Sequence, residues 1–291
     1  MRDFGQTVRG INSAPTVKYT SLKTTYEYMS KILALANQKG GVGKTTTSVN
    51  LAASLAATKR KVLLIDLDPQ GNATMGVGVD KNALDLTFCD CLLDGVDAHK
   101  VVHHIENAGI DLLPANADMT AAEVDLMRAD NAEQRLKRSI ASIVDEYDYV
   151  LIDCPPALNM LTLNALVASD GVIIPMQCEY YALEGLTALM DTINQVRSSV
   201  NPDLKIEGLL RTMFDPRNTL SNDVSAQLIE HFGDRVYRTI VPRNVRLAEA
   251  PSYGLPALLY EKTSRGALAY LALAGEMLRR ESRSNAATAA T

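Results

Sequence analysis

A glycine-rich loop stands near the start of the chain, between a short apolar run and a stretch with helical periodicity. The run KILALAN covers residues 31–37, the loop reads QKGGVGK, and the pattern TTTSVNLAASLAATK covers residues 45–59. Apolar residues recur in that pattern at helical spacing, with Leu51 and Leu55 on the inward face. A strand that leads through such a loop directly into a helix is typical of parallel α/β sheets.

Short apolar runs alternate with helical patterns along the rest of the chain. Further strands are predicted at residues 61–68, 110–116, 147–156, 171–177, 206–214 and 236–242. Helices are predicted at about 119–145, 159–168, 183–199, 220–232 and 264–281. This alternation predicts an α/β fold with a mostly parallel sheet of about seven to eight strands and helices on both faces. The carboxyl ends of such strands form the edge at which ligands bind.

Both ends of the chain depart from this alternation. Residues 1–30 are polar and aperiodic, which is typical of a mobile arm, or alternatively of an extension upstream of a natural start at Met29. Residues 31–281 are predicted to form a single domain. The tail at 282–291 is predicted to be disordered.

Composition and charge argue against several classes of protein. The net charge of −5 is unlike that of a chain that is basic throughout, although it allows a local basic patch. The four cysteines have no paired CxxC spacing and no histidines grouped with them, which argues against zinc and favours a reduced, cytoplasmic protein. No apolar run reaches the ~18 residues of a membrane-spanning helix, and no signal peptide is visible.

The loop has the composition of a phosphate-binding loop. Its glycines would let backbone N–H groups approach phosphate oxygens, and the N-terminus of the next helix favours negative charge. Lys44 occupies the place of a lysine that bridges terminal phosphates, and Thr45 offers a hydroxyl to Mg²⁺. The usual pattern G-x-x-x-x-G-K-[ST] fails only at Gln38, where it requires glycine. The residues predicted here to bind the nucleotide are Gly40, Gly41, Val42, Gly43, Lys44, Thr45 and Thr46.

Carboxylates follow two of the predicted strands. Asp153 ends the run YVLID, where a carboxylate can hold Mg²⁺ through a water molecule. Asp66 and Asp68 follow the run VLLI, and their side chains point to opposite faces if the strand continues through them. We therefore expect these two residues to have different roles. A carboxylate at a strand end can instead only cap the next turn, and for Asp66 this alternative stays open.

Five segments together resemble the ParA/MinD group of P-loop ATPases, and chromosomal ParA (also called Soj) in particular. The loop KGGVGKTT resembles the deviant Walker A motif of that group. The other segments are VLLIDLDPQGN, DCPPALNMLTLNAL, PMQCEYYALEGL and VPRNVRLAEAPSYGLPALLYEKTSRGALAYLALA. The resemblance extends from about residue 29 to about residue 281, and the polar N-terminal arm is not part of the family's pattern.

The resemblance implies catalytic roles for the charged residues. Lys44 would bind the ATP of its own subunit, whereas Lys39 would reach across a homodimer interface to the ATP of the partner. Asp68 would position the attacking water. Asp153 would hold Mg²⁺ through a water molecule, and Asp66 would stabilise the metal site without itself contacting the metal.

The resemblance also implies contacts with the base and with DNA. The adenine would lie against Met213, Pro242 and Asn244. The ATP-bound dimer would contact double-stranded DNA, without sequence preference, through Arg217 and Arg246. A ParB-like partner would stimulate hydrolysis and release the dimer, and repeated cycles on the nucleoid would segregate a chromosome origin or a plasmid.

Three alternatives remain open from the sequence. A MinD-like membrane ATPase would need a C-terminal amphipathic helix with bulky apolar residues, and the helix predicted here consists mostly of Ala and Leu. A small-molecule ligase could use the same loop but would need its own substrate pocket. A nucleotide-gated scaffold without catalysis is disfavoured by the intact set of Lys39, Lys44, Asp68 and Asp153.

Overall fold

In the computed structural model, which describes residues 30–180 and 182–288, eight strands form one sheet. The strands are β1 (Lys31–Leu35), β2 (Val62–Asp66), β3 (His103–Ile105), β4 (Ile110–Leu113), β5 (Tyr149–Asp153), β6 (Gly171–Gln177), β7 (Lys205–Phe214) and β8 (Val236–Pro242). The helices are α1 (Lys44–Ala57), α2 (Asn72–Gly76), α3 (Phe88–Leu93), α4 (Met119–Leu126), α5 (Arg135–Ser139), α6 (Met160–Ala168), α7 (Ala182–Ser199), α8 (Thr219–Phe232), α9 (Val245–Glu249), α10 (Ala257–Tyr260) and α11 (Arg265–Thr288). Apart from Ser30, the predicted N-terminal arm lies outside the described residues.

The strand order places the glycine-rich loop at the centre of the sheet. The order is β3-β4-β2-β5-β1-β6-β7-β8, and every neighbouring pair is parallel except β3 and β4. The predicted α/β fold with a mostly parallel sheet is therefore confirmed. Asp153 at the end of β5 pairs with Leu35 of β1 on one side and with Asp66 of β2 on the other. The loop and both carboxylates thus reach the same edge of the sheet.

Two apolar layers cover the two faces of the sheet. One layer packs α1 and α11 against residues such as Leu35 of β1. The other layer packs α6, α7 and α8 against residues such as Ala34. Because successive side chains of a strand point to opposite faces, a strand covered on both sides is apolar throughout, which explains the continuous apolar runs of the sequence.

The prediction of a single helix at about 119–145 is wrong. The chain forms α4, a 3₁₀ turn at Ala132–Gln134, α5 and a second 3₁₀ turn at Val144–Glu146. Asn131 breaks the helix with a φ of 50°, in the left-handed region. The buried side chain of Asn164 then fastens the break to α6, since it accepts from the N–H of Leu136 and donates to the carbonyl of Ala132.

The last helix also continues further than the sequence indicates. It was predicted to end at about 281, with a disordered tail beyond, but α11 runs to Thr288. Its inner side is fixed by side chains on the sheet, because the hydroxyl of Tyr149 donates to Glu281 over 2.5 Å. Glu276 and Arg280 pair one turn apart, which supports the same helix. Residues 289–291 lie outside the described part of the chain.

Candidate nucleotide site and its charged surface

The glycine-rich loop leaves β1 and turns directly into α1. Gly41 and Gly43 have φ values of 73° and 87°, in the region that L side chains rarely adopt. Gly43 is the last residue before α1, so the loop ends on a helix N-terminus with its unpaired N–H groups. The hydroxyl of Thr212 in β7 donates to the carbonyl of Val42 over 2.7 Å. This bond ties the loop to β7, which lies two strands away from β1 in the sheet.

Lys44 and Asp153 form the buried centre of the site. Lys44 is 7% exposed and Asp153 is completely buried. Burial lowers the pKa of Lys44, while the negative charges of Asp153 and Asp68 oppose that change. Burial also raises the pKa of Asp153, against the effect of the hydroxyl of Ser48. A dry site that holds a cation and carboxylates is suited to a ligand that brings both phosphate and a metal ion.

One oxygen of Asp153 is available to a metal-bound water. Ser48 donates from its hydroxyl to Oδ1 over 2.7 Å, whereas the buried Oδ2 accepts no hydrogen bond from the described residues. A buried oxygen without a partner costs free energy, so this atom is suited to accept a hydrogen bond from a ligand. The described residues contain no cluster of three or more His, Cys, Asp or Glu that could hold a metal. Mg²⁺ needs few protein ligands and completes its shell with phosphate and water, so a hydroxyl such as that of Thr45 and one carboxylate such as Asp153 are compatible with it.

Asp66 and Asp68 do not belong to one continuous strand, so the expected alternation of their side chains does not apply. The strand β2 ends at Asp66. Oδ1 of Asp66 accepts from the N–H of Asp68 over 3.1 Å, and Oδ2 accepts from the N–H and hydroxyl of Thr74, both over 2.8 Å. Oδ1 of Asp68 accepts from the N–H of Gln70. Asp66 thus holds together the turn that carries Asp68 and the helix α2.

Lys39 is paired with a carboxylate of its own chain. Its Nζ lies 2.5 Å from Oε2 of Glu179, which follows β6, and the two side chains are 39% and 50% exposed. The side chain of Asn37 accepts from the N–H of Lys39 and donates to the carbonyl of Pro175. Glu179 is a residue that the sequence argument missed, although it lies within the segment EYYALEG. The two lysines of the loop therefore occupy different environments, one buried and one at the surface.

The three residues predicted to border the adenine line one cavity. Met213, Pro242 and Asn244 surround a space of about 160 Å³ together with Gly43 and Thr46 of the loop. Met213 has a φ of 48°, an uncommon value for a side chain of its size. The cavity opens beside the loop, so a nucleotide with its phosphates on the loop would have its base within reach of these residues.

The same cavity is lined by a tyrosine that the sequence patterns did not identify. Tyr270 of α11 is 1% exposed and lines the cavity. Its hydroxyl lies 3.1 Å from the hydroxyl of Thr47, which in turn donates to the carbonyl of Gly43. The last helix therefore supports the base cavity and the loop at once.

Both arginines predicted to contact DNA are paired with nearby carboxylates. Arg217 donates to Asp215 through two nitrogens, over 3.0 and 2.7 Å. These hydrogen bonds hold the pKa of Asp215 down to about 2. Arg246 lies 2.6 Å from Glu249, three residues later on α9. Each arginine is thus an exposed cation whose charge is partly neutralised within its own subunit.

An open groove separates the two arginine-bearing segments. It has a volume of about 450 Å³ and is lined by Pro216, Pro242 and Arg265, among others. Arg265 is exposed, and its charge also lowers the pKa of Asp215, after the larger effect of Arg217. Arg265 is a third cation of this surface that the sequence argument did not select.

Comparisons with known proteins identify relatives of this chain. A family model described as an AAA domain matches residues 30–206. The sporulation initiation inhibitor protein Soj of Bacillus subtilis is 50% identical over 249 residues, which make up 86% of this chain and 98% of that protein. The chromosome partitioning protein ParA of Myxococcus xanthus is 49% identical over 253 residues, or 87% of this chain and 89% of that one.

A solved structure shares the fold as well. It is described as cobyrinic acid a,c-diamide synthase from Mycobacterium smegmatis with bound ADP and magnesium. It is 38% identical to this chain and superposes with a TM-score of 0.77 over 87% of this chain and 96% of that one. None of the helices in the described ranges is long and apolar enough to cross a membrane.

Proposed function

Because the chain belongs to the ParA family of P-loop ATPases, we propose that it is an Mg²⁺-dependent ATPase that segregates DNA. In this proposal the ATP-bound protein dimerises and binds double-stranded DNA without sequence preference, and a ParB-like partner stimulates hydrolysis and release. The observation that carries the nucleotide part is the buried Lys44–Asp153 centre, with an unpartnered carboxylate oxygen beside a helix N-terminus.

Each residue of the buried centre has a separate role in this proposal. The backbone from Gly40 to Thr46 binds the phosphates, and Lys44 neutralises their terminal charge. Thr45 and, through water, Asp153 would hold Mg²⁺, which supplies positive charge to the reacting phosphate when bound. Asp68 orients the attacking water, and Asp66 keeps the turn of Asp68 in place. Met213, Pro242 and Asn244 border the adenine.

The dimer gives the second lysine its role. The side chain of Lys39 is exposed, and an exposed ion pair with Glu179 holds its Nζ in its own subunit. In the proposed dimer it exchanges that carboxylate for the phosphates of the partner's ATP, as a point charge supplied in trans. The exchange is inexpensive because an exposed ion pair contributes only about 0–1 kcal/mol.

Dimerisation also explains how an acidic protein can bind DNA. The chain has a net charge of −5, and two of its exposed arginines at this surface, Arg217 and Arg246, are each paired with a carboxylate. Two subunits double the number of phosphate contacts, and affinity for DNA rises steeply with that number. ATP would therefore control DNA binding through assembly, in the cytoplasm and on the nucleoid.

Two other functions are less well supported. A MinD-like membrane ATPase would use its last helix as an anchor, but Tyr270, Leu273 and Met277 of α11 are buried against the sheet. A synthase is suggested by the description of the structural neighbour. The relatives named Soj and ParA are nevertheless closer in sequence, at 50% and 49% identity against 38%.

The proposal is tested by comparing nucleotides and variants in one buffer. With Mg²⁺ and a non-hydrolysable ATP analogue, light scattering should show a dimer and filter binding should show DNA retention, whereas ADP should give neither. Lys39→Ala should bind the analogue yet stay monomeric and leave DNA, while the exposed Lys137→Ala should behave as the unchanged protein. A monomer in saturating analogue, or equal DNA affinity with ADP, would contradict the proposal.

A further inference from the structure

Two glycines from distant parts of the chain touch each other through their backbones. Gly78 follows α2, and Gly254 follows the 3₁₀ turn Ala250–Tyr253. A Cβ on Gly254 would lie 2.6 Å from Cα and 3.1 Å from N of Gly78, and a Cβ on Gly78 would lie 3.0 Å from the carbonyl oxygen of Gly254. Both have positive φ, 95° and 63°. The contact therefore leaves no space for a side chain on either partner.

One side of this contact belongs to the turn of the water-orienting aspartate. Gly71, the residue directly before α2, donates from its N–H to the carbonyl of Asp68. Asp66 links the turn of Asp68 to α2, because its two oxygens accept from the N–H groups of Asp68 and of Thr74. The N–H of Gly78 donates back to the carbonyl of Met75, within α2. The segment from Asp68 to Gly78 is thus one short, internally bonded unit.

The other side belongs to the helix that carries a DNA-contact arginine. Asn244 caps α9 by accepting from the N–H of Arg246. The helix continues without a break into the 3₁₀ turn Ala250–Tyr253, and Gly254 caps that turn by donating to the carbonyl of Pro251. Because α9 and the 3₁₀ turn are continuous, a displacement of Arg246 would also displace Gly254.

We propose that the Gly78–Gly254 contact links the DNA surface to the turn of Asp68, so that DNA bound at Arg246 sets the position of the water-orienting carboxylate. This inference rests on the proposed function. Gly78 and Gly254 act as positioning residues. Neither lines the cavity beside the loop, and both transmit position because their backbones touch with no side chain that could adapt. Rigid elements in direct contact can carry such a link when DNA favours one of their arrangements.

The first test replaces one glycine and compares the response to DNA. Gly254→Ala is matched by Gly109→Ala, because Gly109 has the same φ of 63° but only one atom, Cβ of Ala56 at 4.0 Å, near its added methyl group. The unchanged protein and Gly109→Ala should change their hydrolysis rate by roughly fivefold or more when DNA is added. Gly254→Ala should lose most of that ratio, to within about twofold, while circular dichroism shows it folded.

The outcomes separate the link from the proposed function. If the unchanged protein binds no DNA with the ATP analogue, the proposed function fails and the link fails with it. If it binds DNA but Gly254→Ala keeps the DNA response of Gly109→Ala, only the link is wrong.

A second measurement needs no variant and so does not depend on folding of a mutant. The N–H groups of Gly78 and Val79 donate to carbonyls of α2 over 3.1 and 3.2 Å, so their hydrogen exchange reports on that segment. Addition of DNA to the dimer with the ATP analogue should slow exchange at residues 76–79 as well as at 245–254. The turn around Gly109 serves as the internal reference and should not change. Slower exchange confined to residues 245–254 would overturn the link.

Discussion

Lys44 and the paired surface cations around the candidate site lie in opposite environments. Lys44 is 7% exposed and lies near the buried Asp153, in a space closed by the loop and the sheet edge. Lys39, Arg217 and Arg246 stand at the surface, and each is paired with a carboxylate of its own chain. The first environment is ready for a ligand. In the second, each cation is partly neutralised by a carboxylate, with which a phosphate would compete.

The difference indicates which interactions are fixed and which are exchangeable. Removal of the partner of a buried charge lowers stability by about 3–5 kcal/mol, so Lys44 and Asp153 tolerate little change. An exposed ion pair contributes about 0–1 kcal/mol to stability. Lys39, Arg217 and Arg246 can therefore exchange their carboxylates for phosphates with little loss of free energy. We therefore expect removal of an inner residue to abolish a step, and removal of an outer carboxylate to strengthen an assembly.

The largest effect on nucleotide binding is expected from Lys44→Ala. The terminal phosphates lose a charged hydrogen-bond donor worth about 1.5–3 kcal/mol, so nucleotide affinity should fall by about 100-fold. Titration calorimetry with Mg²⁺ and an ATP analogue measures this loss directly. Lys137→Ala, which removes an exposed lysine from α5, is the control and should bind as the unchanged protein does. Equal affinity in the two variants would show that the inner cation does not hold the phosphates.

Asp68→Ala should stop hydrolysis but leave binding intact. Loss of a group that orients and accepts from water should lower the rate by about 100-fold or more, as measured by phosphate release. Its dimer and its retention on DNA should persist, because neither needs the chemical step. Asp130→Ala, an exposed carboxylate outside the site, should hydrolyse normally. A monomeric Asp68→Ala in saturating ATP would assign this residue to assembly and not to catalysis.

The sequence predicts the inner region well because simple geometric rules determine it. A glycine-rich loop between a strand and a helix, and apolar runs that end in carboxylates, are sufficient to place Lys44, Asp66 and Asp153 at one sheet edge. The strand order only decides which of these ends are neighbours, and β5 proves to pair with both β1 and β2. The length of β2 was less predictable, since the turn at Asp68 depends on hydrogen bonds to Asp66.

The outer region depends on contacts that no local pattern contains. The pairing of Lys39 with Glu179, and the approach of Gly78 to Gly254, join segments that are distant in sequence and meet only in the folded sheet. The edge strand β3 contains HHI and has no apolar run to indicate it. The long helix predicted at about 119–145 failed for the same reason, because Asn164 of another helix holds its break.

An intermediate effect is expected at the DNA surface. Arg246→Glu replaces a phosphate contact by a repulsion and should weaken ATP-dependent DNA binding by about tenfold or more at low salt. Glu249→Gln removes the carboxylate that competes for Arg246 and should strengthen DNA binding by up to about fivefold. Mobility shifts over a range of salt concentrations measure both. If Glu249→Gln weakens binding, then the ion pair orients Arg246 for DNA and does not compete with it.

The smallest effect is expected from Glu179→Gln, which tests the exchange at Lys39. Its carboxylate lies 2.5 Å from Nζ of Lys39, and both side chains are exposed enough for the pair to contribute at most about 1 kcal/mol. Without that competitor, each of the two Lys39 contacts in the ATP-analogue dimer should strengthen by up to about fivefold, so the dimer should dissociate less readily on dilution, as light scattering measures. The gain should shrink as salt screens the pair, and Glu106→Gln in the turn before β4 should give none. A looser dimer would mean that Glu179 guides Lys39 toward the partner, so that the outer cations, like Lys44, are held in place before the ligand arrives.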